Sequence, residues 1–229
     1  MRIAIFDYGA GNLHSLAKAL EVDGAEIAVE SDVRRAIDTD VLVLPGVGAF
    51  GAACERFASE REAMRDAIRR GLPTIGICLG MQLLFDESDE GPGAGLGVIP
   101  GRVARLRAER VPQIGWNSVE PRAGDPLFRA APLDVAYYAN SFVCRPADES
   151  VVMAWSTHEG DRYPAAVRRG ATVGVQFHPE KSSTAGLAFV RAFVKSVATR
   201  DSRRDAADAA PPTVADGESR VTSHDQELR

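Results

Sequence analysis

The stretch PTIGICLGMQLLF, residues 73–85, turns an apolar strand-like run into the start of a helix, with a cysteine at the turn and glycines at 76 and 80. A residue at such an elbow is held in a strained, exposed position above the edge of a sheet. Gly76 and Gly80 carry no side chains, so neighbouring backbone can pass close. The helix start after Cys78 favours negative charge and hence thiolate. Its backbone N–H groups can also hold an oxyanion. On the elbow alone, a nucleophile and a buried core cysteine are equally consistent, because free cysteine is commonly buried.

Outward from the elbow, the first half alternates strand and helix patterns. Strands are predicted at 3–8 (IAIFDY), 25–30 (AEIAVE), 40–46 (DVLVLPG) and 73–78. Leu13, Leu16, Ala17 and Leu20 recur at helical spacing. The stretch 52–70 carries a sparse stripe of Phe57, Met64 and Ile68, stopped by Gly71 and Pro73, and predicts one long helix. This rhythm implies an α/β fold with a central, mainly parallel sheet flanked by helices. After the glycine-rich loop 91–101 come short strand-like runs, among them VAYYANSFV (135–143) and ATVGVQF (171–177). No long helix is expected before 184–197, so an added antiparallel layer is predicted. The polar segment 200–229 reads as a disordered tail.

Composition narrows the function classes. Hydrophobic residues are 45% and charged residues 26%, a globular balance. A net charge of -5 argues against nucleic acid held by general electrostatics. No apolar run approaches the length of a membrane span. The start, MRIAIFDYG, lacks the apolar core and cleavage site of a secretory signal. Cys54, Cys78 and Cys144 are odd in number and far apart, with no Cys-x-x-Cys metal pair, which fits free thiols in the cytoplasm.

Two further motifs bear on the cysteine. VGVQFHPEKS (173–182) ends a strand with His178, Pro179 and Glu180. A thiol nucleophile needs a base and a group that fixes the imidazole, and His178 and Glu180 can fill those roles. Positions i and i+2 share a side if strand geometry persists. LPGVGAFG (44–51) follows the third strand, and a glycine-rich turn there can aim N–H groups at a substrate oxygen. It is no phosphate loop, because no Gly-Lys-Ser/Thr follows. Val47 between Gly46 and Gly48 can present either its carbonyl or its N–H, since glycine permits a peptide flip. His14 and His158 sit in no recognisable site motif and read as solvent-facing; Cys54 and Cys144 read as inert, and Trp116 and Trp155 as packing residues.

The cysteine elbow, the His-Pro-Glu turn and the glycine-rich loop together resemble the triad-type glutamine amidotransferases. The likeness covers residues 1–199 as one such domain and leaves 200–229 outside. DYGAGNLHS (7–15), LPGVGAFG, IGWN (114–117) and QFHPEKS (176–182) are similar to the glutaminase subunits of imidazole glycerol phosphate synthases. The resemblance implies Cys78 as nucleophile, His178 as acid and base, and Glu180 as its orienter. It implies an oxyanion held by the Leu79 N–H and the Gly46–Val47–Gly48 loop, and glutamine contacts from Gln82, Ser141 and Phe142. No metal or cofactor is implied. L-Glutamine would be hydrolysed and the ammonia passed to a (β/α)8 cyclase, as a heterodimer whose interface includes Asn12, Tyr137 and Lys181. Two positions depart from the pattern: Asn140 stands where a histidine is usual, and Gln113-Ile114 replaces His-Met. They leave open a related glutaminase feeding another aminating synthase. A non-catalytic scaffold and a cysteine hydrolase are further alternatives; the intact Cys78, His178 and Glu180 disfavour the scaffold.

Overall fold

The computed structural model describes residues 1–9, 11–22 and 24–208. The first half delivers β1 (Arg2–Phe6), α1 (Leu13–Leu20), β2 (Glu26–Glu30), α2 (Val33–Ile37), β3 (Val41–Leu44), α3 (Phe50–Phe57), α4 (Arg61–Arg69), β4 (Thr74–Ile77) and α5 (Leu79–Gln82). The helix predicted over 52–70 is broken by a 3-10 turn at Ala58–Glu60. No apolar residue larger than alanine lies between Phe57 and Met64 to hold that turn against the core.

The second half adds β5 (Glu87–Ser88), β6 (Gly101–Arg105), β7 (Gln113–Ser118), β8 (Glu120–Pro121), α6 (Pro126–Ala130), β9 (Val135–Asn140), β10 (Phe142–Pro146), β11 (Val152–His158), β12 (Asp161–Arg169), β13 (Thr172–Val175) and α7 (Ser183–Asp208). α7 runs past the boundary expected at 200: the sequence SRRDAAD at its end is rich in alanine and arginine, both good helix formers. The rest of the expected tail, 209–229, lies outside the described residues.

Among the described residues, eight strands form one sheet in the order β2-β1-β3-β4-β13-β12-β11-β8. β2, β1, β3, β4 and β13 are parallel; β12, β11 and β8 continue the sheet antiparallel. The fold is therefore the expected α/β arrangement, with part of the antiparallel layer merged into the main sheet. Two small sheets, β10-β6-β5 and β7-β9, make up the rest. The run 135–143, expected as one strand, breaks at Ser141, and its halves β9 and β10 enter different sheets.

The parallel strands β1, β3, β4 and β13 are buried on both faces, which is why they read as continuous apolar runs rather than alternating ones; the edge strand β2 is partly exposed. Ile3, Val41, Val43 and Ile75 belong to one core with Leu16 and Leu20 of α1 and Phe189 and Phe193 of α7. Phe6, Leu42 and Leu44 belong to the other, with α3 and α4 supplying Phe50, Phe57, Met64 and Ile68. No helix among the described residues is long and apolar enough to cross a membrane.

The elbow depends on two close approaches. A Cβ on Gly80 would lie 2.0 Å from the Leu44 carbonyl oxygen, and one on Gly76 would lie 2.5 Å from the Gly80 carbonyl oxygen. Both clashes are with backbone, which cannot rotate away. Gly80→Ala is expected to lower the unfolding free energy by about 3 kcal/mol. Gly91→Ala, whose added Cβ meets nothing within 4 Å, should stay within about 0.5 kcal/mol of the parent. Urea denaturation distinguishes them; three equally stable proteins would show that the elbow tolerates a wider separation.

Candidate active site

β3, β4 and β13 are neighbours in the sheet, with Leu44 opposite Gly76 and Val175 opposite Ile77. Their carboxyl ends therefore open at one level, where parallel α/β sheets bind ligands. After β3 comes Gly46–Gly48, after β4 comes Cys78, and after β13 comes His178.

Cys78 has φ 47° and ψ -104°, a conformation rare outside glycine. Its N–H donates to the Val175 carbonyl at 2.7 Å, which ties the elbow to β13. α5 is a single turn, so little macrodipole acts on the thiol. What the turn supplies is local: the Leu79 N–H, first of the helix, has no acceptor within it.

The strand geometry expected for His178 and Glu180 ends at Val175. His178 instead caps a 3-10 turn, Pro179–Lys181. That turn still brings Glu180 Oε1 to 2.8 Å from His178 Nδ1. With Nδ1 engaged, Nε2 is the ring nitrogen left to interact with Cys78, whose thiol shares the cleft and helps raise the His178 pKa. Gly46 stands on the ring's flank: a Cβ there would lie 3.0 Å from His178 Cε1. His178 is only 2% exposed. Burial works against a charged imidazole, but hydrogen bonds to Cys78 and Glu180, and the charges of both, outweigh it and raise the His178 pKa to about 10.

A cleft of about 300 Å3 lies over these groups. Gly46, Val47, Gly48, Leu79, Gln82, Ser141 and Phe142 all line it with Cys78 and His178, so the structure gathers the predicted oxyanion and substrate residues in one place. Glu180 stands behind His178. Gln82 Nε2 donates to the Phe142 carbonyl at 3.1 Å. Asn140 Nδ2 donates to the same carbonyl at 3.2 Å, and Asn140 Oδ1 is buried without a partner.

Of the predicted interface residues, Lys181 lines the cleft and its Nζ lies 5.9 Å from the Tyr137 ring centroid. Asn12, exposed at the N-cap of α1 in a left-handed conformation, lines no part of the cleft. The preceding Gly11 nevertheless sits beside Val47: its added Cβ would lie 3.9 Å from Val47 Cγ1.

Sequence reasoning missed three things. Glu90, in the turn after β5, lines the cleft, and its Oε2 accepts from the Phe50 N–H at 3.1 Å. Nothing in sequence separates it from other charged loop residues. Gln176 is fully buried and its Nε2 lies 3.5 Å from Cys78 Sγ. It sat inside a quoted motif without a role. Trp116, expected to pack inside, is 56% exposed, because β7 presents alternate residues to solvent.

The sequence profile of the class-I glutamine amidotransferases matches residues 4–197. The chain belongs to the class-I glutamine amidotransferases. Among curated amidotransferase relatives, the imidazole glycerol phosphate synthase subunit HisH of Symbiobacterium thermophilum is 48% identical over 191 residues, which span 81% of this chain and 90% of that one. Its counterpart in Synechococcus sp. (strain JA-3-3Ab) is 42% identical over 207 residues, 87% of this chain and 96% of the other. A solved glutamine amidotransferase superposes with a TM-score of 0.67 at 21% identity, covering 86% of this chain and 98% of that one. PurLQS from Thermotoga maritima gives 0.66 at 22%, covering 87% and 98%. These structural likenesses concern the amidotransferase fold.

The titration of His178 is checked by following its ring protons by NMR. The free imidazole value is about 6.5. His178 should stay protonated through neutrality and titrate near 10. Cys78 and Glu180 both raise it, so Cys78→Ser and Glu180→Gln should each move the midpoint downward. A midpoint below 6.5 in the parent protein would mean that burial wins.

Proposed function

We infer that this chain hydrolyses L-glutamine to glutamate and ammonia as the HisH-type subunit of an imidazole glycerol phosphate synthase, and that it hands the ammonia to a cyclase partner. The observation that supports this best is the His178–Glu180 hydrogen bond at 2.8 Å beside Cys78 in one cleft, at the ends of two adjacent strands, in a chain 48% identical to a HisH subunit.

Cys78 Sγ attacks the side-chain amide carbon of glutamine. The oxyanion is held by the Leu79 N–H and by an N–H of the Gly46–Gly48 loop. Losing one such donor costs roughly 2.7–4 kcal/mol of transition-state stabilisation. The C–N bond breaks as His178 Nε2 gives its proton to the leaving nitrogen, which departs as ammonia. His178 then takes a proton from water, water adds to the thioester, and the thiolate leaves as glutamate forms. Glu180 holds Nδ1–H throughout, so the nitrogen facing the sulfur never changes. Glu90 is the carboxylate placed to receive the substrate's α-ammonium group, with backbone at Ser141 and Phe142 beside Gln82 for the remainder.

The partner is a (β/α)8 cyclase in a heterodimer, and the surface that fits it flanks the cleft. Trp116 pairs with Tyr137 and Ser118 with Val135, so alternation puts Ile114, Trp116, Val135, Tyr137 and Ala139 on one face of the β7-β9 sheet. Ile114 is 68% exposed and Val135 48%. The Trp116 and Tyr137 rings meet edge-on with centroids 6.2 Å apart. Exposed aromatic groups of this kind anchor protein interfaces. The catalytic unit is residues 1–199. Free cysteines at all three positions accord with a cytoplasmic setting.

Coupling enters through the glycine-rich loop. Gly48 has φ +141°, which a β-branched residue resists. A partner that binds the donor-inward loop better raises turnover by that difference in affinity.

Steady-state glutamine hydrolysis, with and without a cyclase and its phosphorylated ligand, tests the reading. The isolated chain should be slow and the complex faster by about 10²–10³. Cys78→Ala should abolish hydrolysis while the complex still forms product from ammonium salts. Equal rates with and without the partner, or an active alanine variant, would refute it.

The docking face is tested separately by binding measurements. Trp116→Ala should weaken the complex by at least about 2 kcal/mol, some thirtyfold in Kd, with the isolated chain's stability unchanged. Unaltered affinity would move the interface elsewhere.

A further inference from the structure

Gln176 is completely buried immediately after β13, two residues before His178. A buried amide has one acceptor and two donors to satisfy. Its Nε2 lies 3.5 Å from Cys78 Sγ, and its Oε1 lies 3.5 Å from Gln82 Nε2. Gln82 Nε2 also donates to the Phe142 carbonyl at 3.1 Å.

The direction of this chain of amides is fixed from its far end. A backbone carbonyl only accepts, so Gln82 must turn its NH2 toward Phe142. That same NH2 has a second hydrogen, and it faces Gln176, which must answer with Oε1. The NH2 of Gln176 is thereby left facing the sulfur. Reversing either amide sets donor against donor or acceptor against acceptor.

We propose that Gln176 is an N–H donor to Cys78 Sγ that favours the thiolate and aims it into the cleft, its direction set by the Phe142 carbonyl through Gln82. This rests on the reading of Cys78 as nucleophile. The chemistry follows from the two states of sulfur. A thiol is a weak acceptor, and a thiolate is an ionised one that forms a charge-assisted bond. The donor therefore gains most when the proton has left Sγ. It complements His178, which approaches the same sulfur from the loop after β13. One donor can be neutralised by losing its proton, whereas the amide always donates.

The test uses the full chain as wild type, Gln176→Met and Gln176→Asn. Methionine nearly matches glutamine in volume and has no N–H; asparagine keeps the amide but is one methylene too short to reach. Alkylation at Cys78 by iodoacetamide is followed against pH by peptide mass. In both variants the pH of half-maximal alkylation should rise by about one unit. With the cyclase present, kcat should fall about tenfold and KM stay within twofold. A role limited to packing would leave the methionine curve on that of the wild type, and that result overturns the proposal. If the methionine variant does not fold, the asparagine curve decides by the same criterion. A wild-type complex that does not hydrolyse glutamine refutes the glutaminase reading instead, and the alkylation curves still decide whether Gln176 donates.

Discussion

Everything at the site hangs on how closely α5 lies against the ends of β3 and β4. The Gly80 Cα sits where a single added carbon would be 2.0 Å from the Leu44 carbonyl oxygen. That contact forces the chain to turn back within one residue of the strand. The residue at the turn is consequently driven to φ 47°. Such a conformation costs of order 1–3 kcal/mol and survives only where its surroundings leave no alternative. Here the surroundings are the Val175 carbonyl that receives the Cys78 N–H, and core packing by Met81, Leu83 and Leu84, all fully buried. The same closeness sets the Leu79 N–H beside the sulfur, which is the donor position that the proposed mechanism uses for the oxyanion.

With the sulfur fixed, the electrostatics of the site follow from burial opposed by specific contacts. An imidazole buried in apolar surroundings would ordinarily be neutral. His178 has two groups within hydrogen-bond reach that favour its proton, Cys78 and Glu180, and together they prevail. Pairing in this way offsets the desolvation of each charge only while both partners remain. Cys54 shows the contrast. It is also buried, and its environment pushes the thiol up to about 11, Arg61 offsetting only part of the effect. Of the three buried thiols, Cys78 is the one with an imidazole and an amide in its cleft.

The sequence displayed the parallel half of the fold because strands covered on both faces leave unbroken apolar runs, as at 40–44 and 73–77. The elbow, the base and the glycine-rich loop were legible because each follows such a strand directly. What could not be read were properties of pairing across distance. VAYYANSFV is one continuous pattern, and only the separate partners of β9 and β10 show why it must break at Ser141. Glu90 and Gln176 carried no periodic signal, since each matters through what approaches it from another segment. Trp116 was misassigned for a related reason: an aromatic residue on a two-stranded sheet is buried only if something covers its face, and the face that carries Trp116 is left open among the described residues, whereas Ala136 and Tyr138 on the opposite face are buried. Glu180 reached its predicted partner through a turn rather than a strand, a right pairing from the wrong geometry.

The same contacts explain how the outer face and the chemistry share one backbone. The His178 N–H donates to the Tyr137 carbonyl at 2.9 Å, and the Tyr137 N–H donates to Ser182 Oγ at 2.9 Å. Ser182 Oγ returns a bond to the His178 carbonyl at 2.7 Å. Tyr137 is thus bound on both its backbone groups to the segment that carries His178 and Glu180. Its ring faces outward beside Trp116, under Lys181. These bonds have ordinary hydrogen-bond lengths and their donors and acceptors are buried or half-buried, so displacing Tyr137 means straining or breaking them. A macromolecule that presses on the aromatic pair therefore acts on the His178 backbone through hydrogen bonds rather than through soft side-chain packing. The outer face of the β7-β9 sheet is thereby tied through Tyr137 to the backbone of the imidazole.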